Sequence, residues 1–109
     1  MFFLMECCHH AGAAEARDAL RPAHRQWVAS GGQGLASVLI GSALWSDDGA
    51  ALGHWGILEA PTADAARAFA EGDPFATGGV VAALTLTRLA DTFMADRISP
   101  RMTAGSGTA

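Results

Sequence analysis

Runs of apolar residues, some alternating with polar ones, predict four β-strands along the chain. The predicted strands cover residues 2–9, 35–45, 52–59 and 80–89. Between the second and third of these, Asp48-Gly49 is a dipeptide that favours the tight turn of a β-hairpin. The pattern therefore predicts a central hairpin, with one further strand before it and one after it.

Apolar residues recur at helical spacing in the segments that separate this hairpin from the outer strands. The two segments cover residues 13–30 and 61–72. Pro22 lacks a backbone N–H, so we expect a short helical turn over 13–20 and the main helix over 21–30. Gly31-Gly32 should end that helix, and Thr62 is the predicted N-cap of the second one.

The order strand, helix, strand, strand, helix, strand predicts an α+β fold of the ferredoxin-like split βαβ type. In this arrangement, also called the dimeric α/β barrel type, an antiparallel sheet carries two main helices on one face. The other face would expose apolar side chains, which is typical of an interface. We therefore expect a homodimer through the open sheet face, with a cleft between sheet and helices in each subunit.

The 109-residue length suits one domain, and the 50% hydrophobic content is enough for a core. We place this domain at residues 1–95. From Ser99 onward the chain is dominated by small residues and polar ones. Residues 96–109 are therefore predicted to form a flexible C-terminal tail.

The net charge and the cysteines limit which classes of binding partner and which cellular compartment we expect. The net charge is −4 and no basic patch is visible, which argues against a nucleic-acid partner. No apolar run approaches the roughly 20 residues of a membrane span, so we expect no membrane partner. Cys7 and Cys8 are adjacent and poorly placed to bridge each other, so we predict a reducing, cytoplasmic setting.

His24, in the first helix, and Asp73, just after the second, are the strongest candidates for chemistry. Neutral imidazole is a general base with an ordinary pKa of about 6.5, and a neighbouring carboxylate would fix its tautomer. The alternative is structural, because an aspartate before a proline commonly forms a turn and a histidine near a helix start can lie on the surface. The residues alone leave both interpretations open.

The remaining histidines give weaker signals. His9 and His10 follow each other in the first strand and point to opposite faces, so they cannot share one metal without a bend. His54 lies in the third predicted strand and is read as a sheet-face residue. Because no ligand motif of metal-site spacing appears, we predict no metal site and no cofactor.

Five features of the chain occur together in a known family: the apolar first strand, Arg21-Pro22-Ala23-His24 at the first helix, residues 39–43 in the second strand, the Asp48-Gly49 hairpin and the end of the second helix. That last stretch, residues 65–75, finishes with Gly72-Asp73-Pro74-Phe75 and is the most specific of these. On these features the chain resembles the YciI-like (YCII-related) family over roughly residues 1–95.

Membership of this family would imply a ferredoxin-like dimer with a His–Asp site, which maps to His24 and Asp73. A related dehydrochlorinase acts on a chlorinated hydroxyquinol, so proton abstraction or elimination on a small organic substrate is the implied reaction. His24 would be the base and Asp73 would orient it, with His9, His10 and Ser42 lining the pocket. The alternative is a non-catalytic module for small-molecule binding or dimerisation.

Overall fold

A four-stranded antiparallel sheet with helices on one face makes up the computed structural model, which describes residues 1–104. The elements are β1 (Phe2–His9), α1 (Ala14–Gly34), β2 (Ser37–Trp45), β3 (Ala51–Glu59), α2 (Ala63–Gly72), α3 (Pro74–Thr77), β4 (Val81–Arg88) and a 3₁₀ turn (Ala95–Arg97). The strand order is β2-β3-β1-β4 and every neighbouring pair is antiparallel. The predicted ferredoxin-like α+β fold is therefore confirmed.

Strand alternation places one set of side chains of the sheet against the helices. In β1 these are Phe3, Met5 and Cys7, all buried, and β3 contributes Leu58. α2 adds its own buried stripe at helical spacing, with Phe69 at its centre. Burying each large apolar side chain contributes about 1.5–3 kcal/mol, so this layer holds the helices on the sheet.

α1 differs from its predicted division into a turn and a main helix. It runs without a break through Pro22, and the kinked residues come only at its end. Pro22 and Asp18 are both exposed, so water can solvate the carbonyl that loses its helical partner. Of the helices within residues 1–104, none combines the length and apolar character needed to cross a lipid bilayer.

The end of α1 occurs where the two glycines predicted it. Gly31, Gly32 and Gln33 adopt left-handed backbone angles, with φ of 63°, 63° and 61°. A Cβ on Gly31 would lie 1.9 Å from the carbonyl oxygen of Ala36. Only glycine therefore fits at position 31 of this turn, which brings the chain back into β2.

The first part of the predicted C-terminal tail makes defined contacts. Thr103 is buried, its N–H donates to the Val38 carbonyl at 3.1 Å, and its hydroxyl oxygen accepts from the Val38 N–H at 2.7 Å. Arg101 Nη1 lies 2.7 Å from Glu59 Oε1. The structure differs from the expectation here because the backbone groups of the edge strand β2 are available for pairing. The rest of the predicted tail, 105–109, lies outside the described residues.

Candidate active site

A cleft of about 570 Å³ lies between α1 and the sheet. Its floor includes Gly56 in β3, where a Cβ would lie 3.6 Å from Met5 Cε and 3.8 Å from Val38 Cγ1. These contacts show that Gly56 faces the helix side of the sheet. The missing side chain leaves room between α1 and the strands, and the candidate catalytic residues line that space.

His24 and Asp73 meet in this cleft. His24 Nδ1 lies 2.7 Å from Asp73 Oδ2 and 2.9 Å from Oδ1. The carboxylate side chain is 3% exposed and the imidazole 17%. α1 supplies the histidine, and the junction of α2 and α3 supplies the aspartate, so helix packing brings together residues that are far apart in the sequence.

Asp73 also caps the short helix α3. Its Oδ1 accepts the N–H of Phe75 at 2.8 Å, and Pro74 occupies the first turn. The Phe75 ring stacks on the His24 ring, with centroids 4.1 Å apart and planes 10° from parallel. The structural and the catalytic interpretations of Asp73 therefore do not exclude each other, because one carboxylate both forms the turn and orients the imidazole.

These contacts define the tautomer of neutral His24. A carboxylate only accepts hydrogen bonds, so Nδ1 carries the proton and Nε2 holds a lone pair. His24 Nε2 has no hydrogen bond to any described residue, and no buried side-chain nitrogen or oxygen in that part of the chain lacks a partner. Nε2 is therefore open to the cleft, where it can accept a proton.

A second chain of hydrogen bonds orients His54. Arg17 Nε donates to His9 Nδ1 at 3.1 Å, and His9 Nε2 lies 2.7 Å from His54 Nδ1. Because Arg17 can only donate, neutral His9 carries its proton on Nε2 and passes a hydrogen bond to His54. His54 then carries its own proton on Nε2. Its ring centroid is 5.3 Å from that of His24, so the cleft places a donor beside a base.

Burial keeps these two histidines neutral. Loss of hydration lowers the pKa of His54 to about 4, with smaller contributions in the same direction from His24 and His9, while the Asp73 carboxylate opposes the shift. The pKa of His9 is also lowered, first by burial and then by the Arg17 charge. At neutral pH, His54 therefore presents an uncharged N–H.

The structure places some of the predicted lining residues in the cleft wall and others outside it. His9 lines the cleft, whereas His10 is exposed and takes no part in the wall. Ser42 lies at the edge of the cleft, but its hydroxyl donates to the Ala43 carbonyl at 2.9 Å. Its register partner is Trp55, on the sheet face opposite His54, so the Ser42 side chain points away from the histidines.

The sequence reasoning missed His54 and the cleft arginines. In β3, His54, Gly56 and Leu58 lie on the same buried face. Their spacing of two residues is visible in the sequence and is the signal that could have indicated it. Arg17 and Arg25 lie two helical turns apart on α1 and both line the cleft. Because the main helix was predicted to begin only at residue 21, Arg17 and Arg25 were not expected on one continuous helix.

Cys7 takes a structural part beneath the cleft. It is buried, and burial followed by the Asp73 charge raises the pKa of its thiol to about 12. The thiol therefore stays protonated and packs as a small apolar group. Cys8 is exposed, and the two cysteines are free. Among the described residues, no three His, Cys, Asp or Glu side chains are arranged to hold a metal ion.

Comparison with known families identifies the group to which the chain belongs. The model of the YCII-related domain matches residues 1–90. The chain belongs to the YCII-related family. No curated protein matches this YCII-related chain in sequence.

Two solved structures are similar to this YCII-related protein. One is 5-chloro-2-hydroxyhydroquinone dehydrochlorinase (TftG) from Burkholderia phenoliruptrix AC1100, in complex with 2,5-dihydroxybenzoquinone. It has a TM-score of 0.68 and 25% identity, over 83% of this chain and 94% of that one. The other is Rv0793 from Mycobacterium tuberculosis, with a TM-score of 0.48 and 16% identity, over 84% of this chain and 96% of that one.

Proposed function

We propose that this protein is a cofactor-independent enzyme that uses His24 and Asp73 for proton abstraction or elimination on a small hydroxylated ring compound. The observation that carries the proposal is the 2.7 Å contact between His24 Nδ1 and Asp73 in an open cleft. It leaves the other ring nitrogen free to act as a base. The similarity to TftG, whose name states a dehydrochlorinase, supports the reaction class.

The elimination needs only proton transfer and loss of an anion. His24 Nε2 takes a proton from the substrate, and Asp73 stabilises the imidazolium that forms. The step balances in the keto tautomer of a chlorinated hydroxyquinol, in which the halogen lies on a saturated ring carbon. The electron pair of the broken O–H bond forms a carbonyl group, the neighbouring ring double bond shifts onto the halogen-bearing carbon, and halide leaves with the pair of the carbon–halogen bond. The Nε2–H of His54 donates to the substrate oxygen on which negative charge grows. His24 then returns its proton to water.

Replacing either member of the pair should abolish most of the chemistry. We expect His24→Gln to lower kcat for chloride release from 5-chloro-2-hydroxyhydroquinone by about 10²–10⁴-fold, because the base is lost. Asp73→Asn should also lower it, while its side-chain oxygen can still cap α3. Chloride release and circular dichroism would be measured together.

The matched control is Asp64→Asn in the exposed first turn of α2, which should keep wild-type turnover. Wild-type chloride release in a folded His24→Gln protein would contradict the proposal. Binding of 2,5-dihydroxybenzoquinone by the wild-type protein without turnover of the chlorinated compound would instead support a non-catalytic binding module.

We also propose a homodimer through the open sheet face, in a cytoplasmic setting. Ile40, 41% exposed, pairs in register with Ile57, which pairs in turn with Leu4. Paired residues share a face, so these side chains form an apolar row across three strands on the side away from the helices. The free state of the two cysteines supports a reducing compartment.

A further inference from the structure

One face of α1 lines the cleft with positive charge. Arg17, Arg21 and Arg25 follow one another at intervals of four residues, and all three contribute to the wall beside His24. Residues four apart on a helix lie on the same side, one turn above the other. The base is therefore flanked by a row of guanidinium groups.

Two of these arginines have no carboxylate partner. Four of the seven arginines in the chain, which all fall within residues 1–104, are paired with an acid: Arg21, Arg67, Arg88 and Arg101. Arg17 bonds to neutral His9 through Nε alone, so its Nη groups stay available. Arg25 is exposed and has no hydrogen bond or ion pair with any described residue.

The cleft has little negative charge to offset this row. Among the described residues Asp73 is the one carboxylate in the wall, and it is buried against the His24 ring and the Phe75 N–H. The chain as a whole carries a net charge of −4. A positively charged cleft in an acidic protein concentrates anions where the rest of the surface repels them.

The floor of the same cleft is apolar and includes two glycines. Gly41 and Gly56 face each other in the register of β2 and β3, which leaves a patch of sheet without side chains. Val28 and Trp45 add apolar surface around it, and Phe75 stacks on the His24 ring. A planar ring fits such a floor better than a branched or bulky ligand does.

We propose that the ligand of this cleft is a planar aromatic anion, with its ring on the glycine floor and its carboxylate or phenolate oxygen held by Arg25 and by the Nη groups of Arg17. This assignment rests on the proposed function in taking the cleft as the substrate site, and it adds the charge of the substrate. Guanidinium groups bind such oxygens in a charge-assisted, often bidentate, geometry.

Calorimetric titration with a matched pair of probes tests the assignment. 2,5-Dihydroxybenzoate carries the charge, and its methyl ester keeps the ring and hydroxyl groups without it. We expect the anion to bind about tenfold tighter or more, which corresponds to one charge-assisted contact. This preference should fall as salt rises, because the Arg25 site is exposed and screened.

Arg25→Gln should remove most of the preference, and Arg25→Lys should restore part of it. Arg97→Gln is the matched control, since Arg97 is also exposed and without an acidic partner among the described residues but lies outside the cleft. Equal affinity for the two probes, no binding of either at millimolar concentration, or an unchanged preference in Arg25→Gln would each overturn the assignment.

The same titration on His24→Gln separates this inference from the proposed reaction. The charge preference should persist in that variant, because the arginines remain, while chloride release should not. Turnover that survives His24→Gln together with a preference that follows Arg25 would reject the reaction mechanism and support the charge assignment. Loss of turnover in His24→Gln, together with equal affinity of the protein for the two probes, would support the reaction mechanism and reject the charge assignment.

Discussion

The Asp73 side chain takes part in two different interactions. Its two oxygens accept from the His24 ring and from the Phe75 N–H at the start of α3. The cap on its own is worth about 0.5–2 kcal/mol, so an alanine at this position would change stability and catalysis together. Asparagine keeps an accepting oxygen and separates the two effects, which is why it is the informative substitution.

His54 makes stability depend on pH at the scale of a single residue. Its pKa is about 4 in the folded protein against 6.5 for an unperturbed imidazole, and burial is the main cause. Between these values the unfolded chain binds a proton that the folded one does not. The free energy of unfolding should therefore fall by roughly 3 kcal/mol as pH decreases through that window.

Urea unfolding measured across that range would check the prediction. His54→Gln should make the dependence less steep and leave the part that comes from His9, whose pKa is also lowered. Glutamine does not titrate, and its side-chain oxygen can still accept from His9. His10→Gln is the control, since His10 is exposed, and it should leave the slope unchanged. An equally steep loss of stability in His54→Gln would count against a buried neutral histidine.

At the scale of elements, α1 and the C-terminal segment 101–104 position one wall of the cleft. Thr103 joins them to the sheet, since its hydroxyl donates to the Val28 carbonyl at 2.9 Å and accepts from the Val38 N–H at 2.7 Å. Val28 and Val38 both line the cleft. The segment therefore holds the helix and the edge strand at a set distance, although neither of its contacts touches the candidate catalytic pair.

Thr103→Val should destabilise the protein by about 2 kcal/mol in urea unfolding. Valine has the same shape but leaves the Val28 carbonyl and the Val38 N–H without their partner, and Thr103 is only 8% exposed. Thr92→Val at an exposed position gives the baseline for the same chemical change. If Thr103→Val cost no more than Thr92→Val, the hydrogen bonds of the Thr103 hydroxyl would contribute nothing to stability.

Prediction of the elements succeeded where the signal was local and failed where it was not. β1 spans the predicted residues 2–9, and Thr62 caps α2 through a 3.0 Å bond to the Ala65 N–H. Both follow from neighbouring residues. The division of α1 failed because the cost of Pro22 depends on whether water reaches the freed carbonyl, which the tertiary structure decides.

At the scale of the whole molecule, the open sheet face should hold two subunits together. Light scattering behind a sizing column should give a mass of twice 11.2 kDa for the wild-type protein. Ile40→Glu would place a charge in the apolar row and should give the single-chain mass. Met94→Glu, at an exposed apolar residue beyond β4, should stay dimeric. A wild-type mass of one chain would reject the dimer.

The order of the elements, the hairpin and the end of α1 were determined by the sequence itself, because periodicity and turn chemistry act over a few neighbouring residues. Membership of the YCII-related family is also recognisable from contiguous sequence motifs, the last of which ends at Phe75. The sequence also selected His24 and Asp73 as candidates, but it could not bring them together.

Tertiary structure alone decided that contact, and the place of His54 beside it. The 2.7 Å contact between His24 and Asp73 depends on how α1 packs against the junction of α2 and α3. The position of His54 depends on the register that pairs it with Cys7, and a slip of one residue would turn it to the other face of the sheet. Such distances join residues far apart in the chain, so packing and register determine them and local pattern does not.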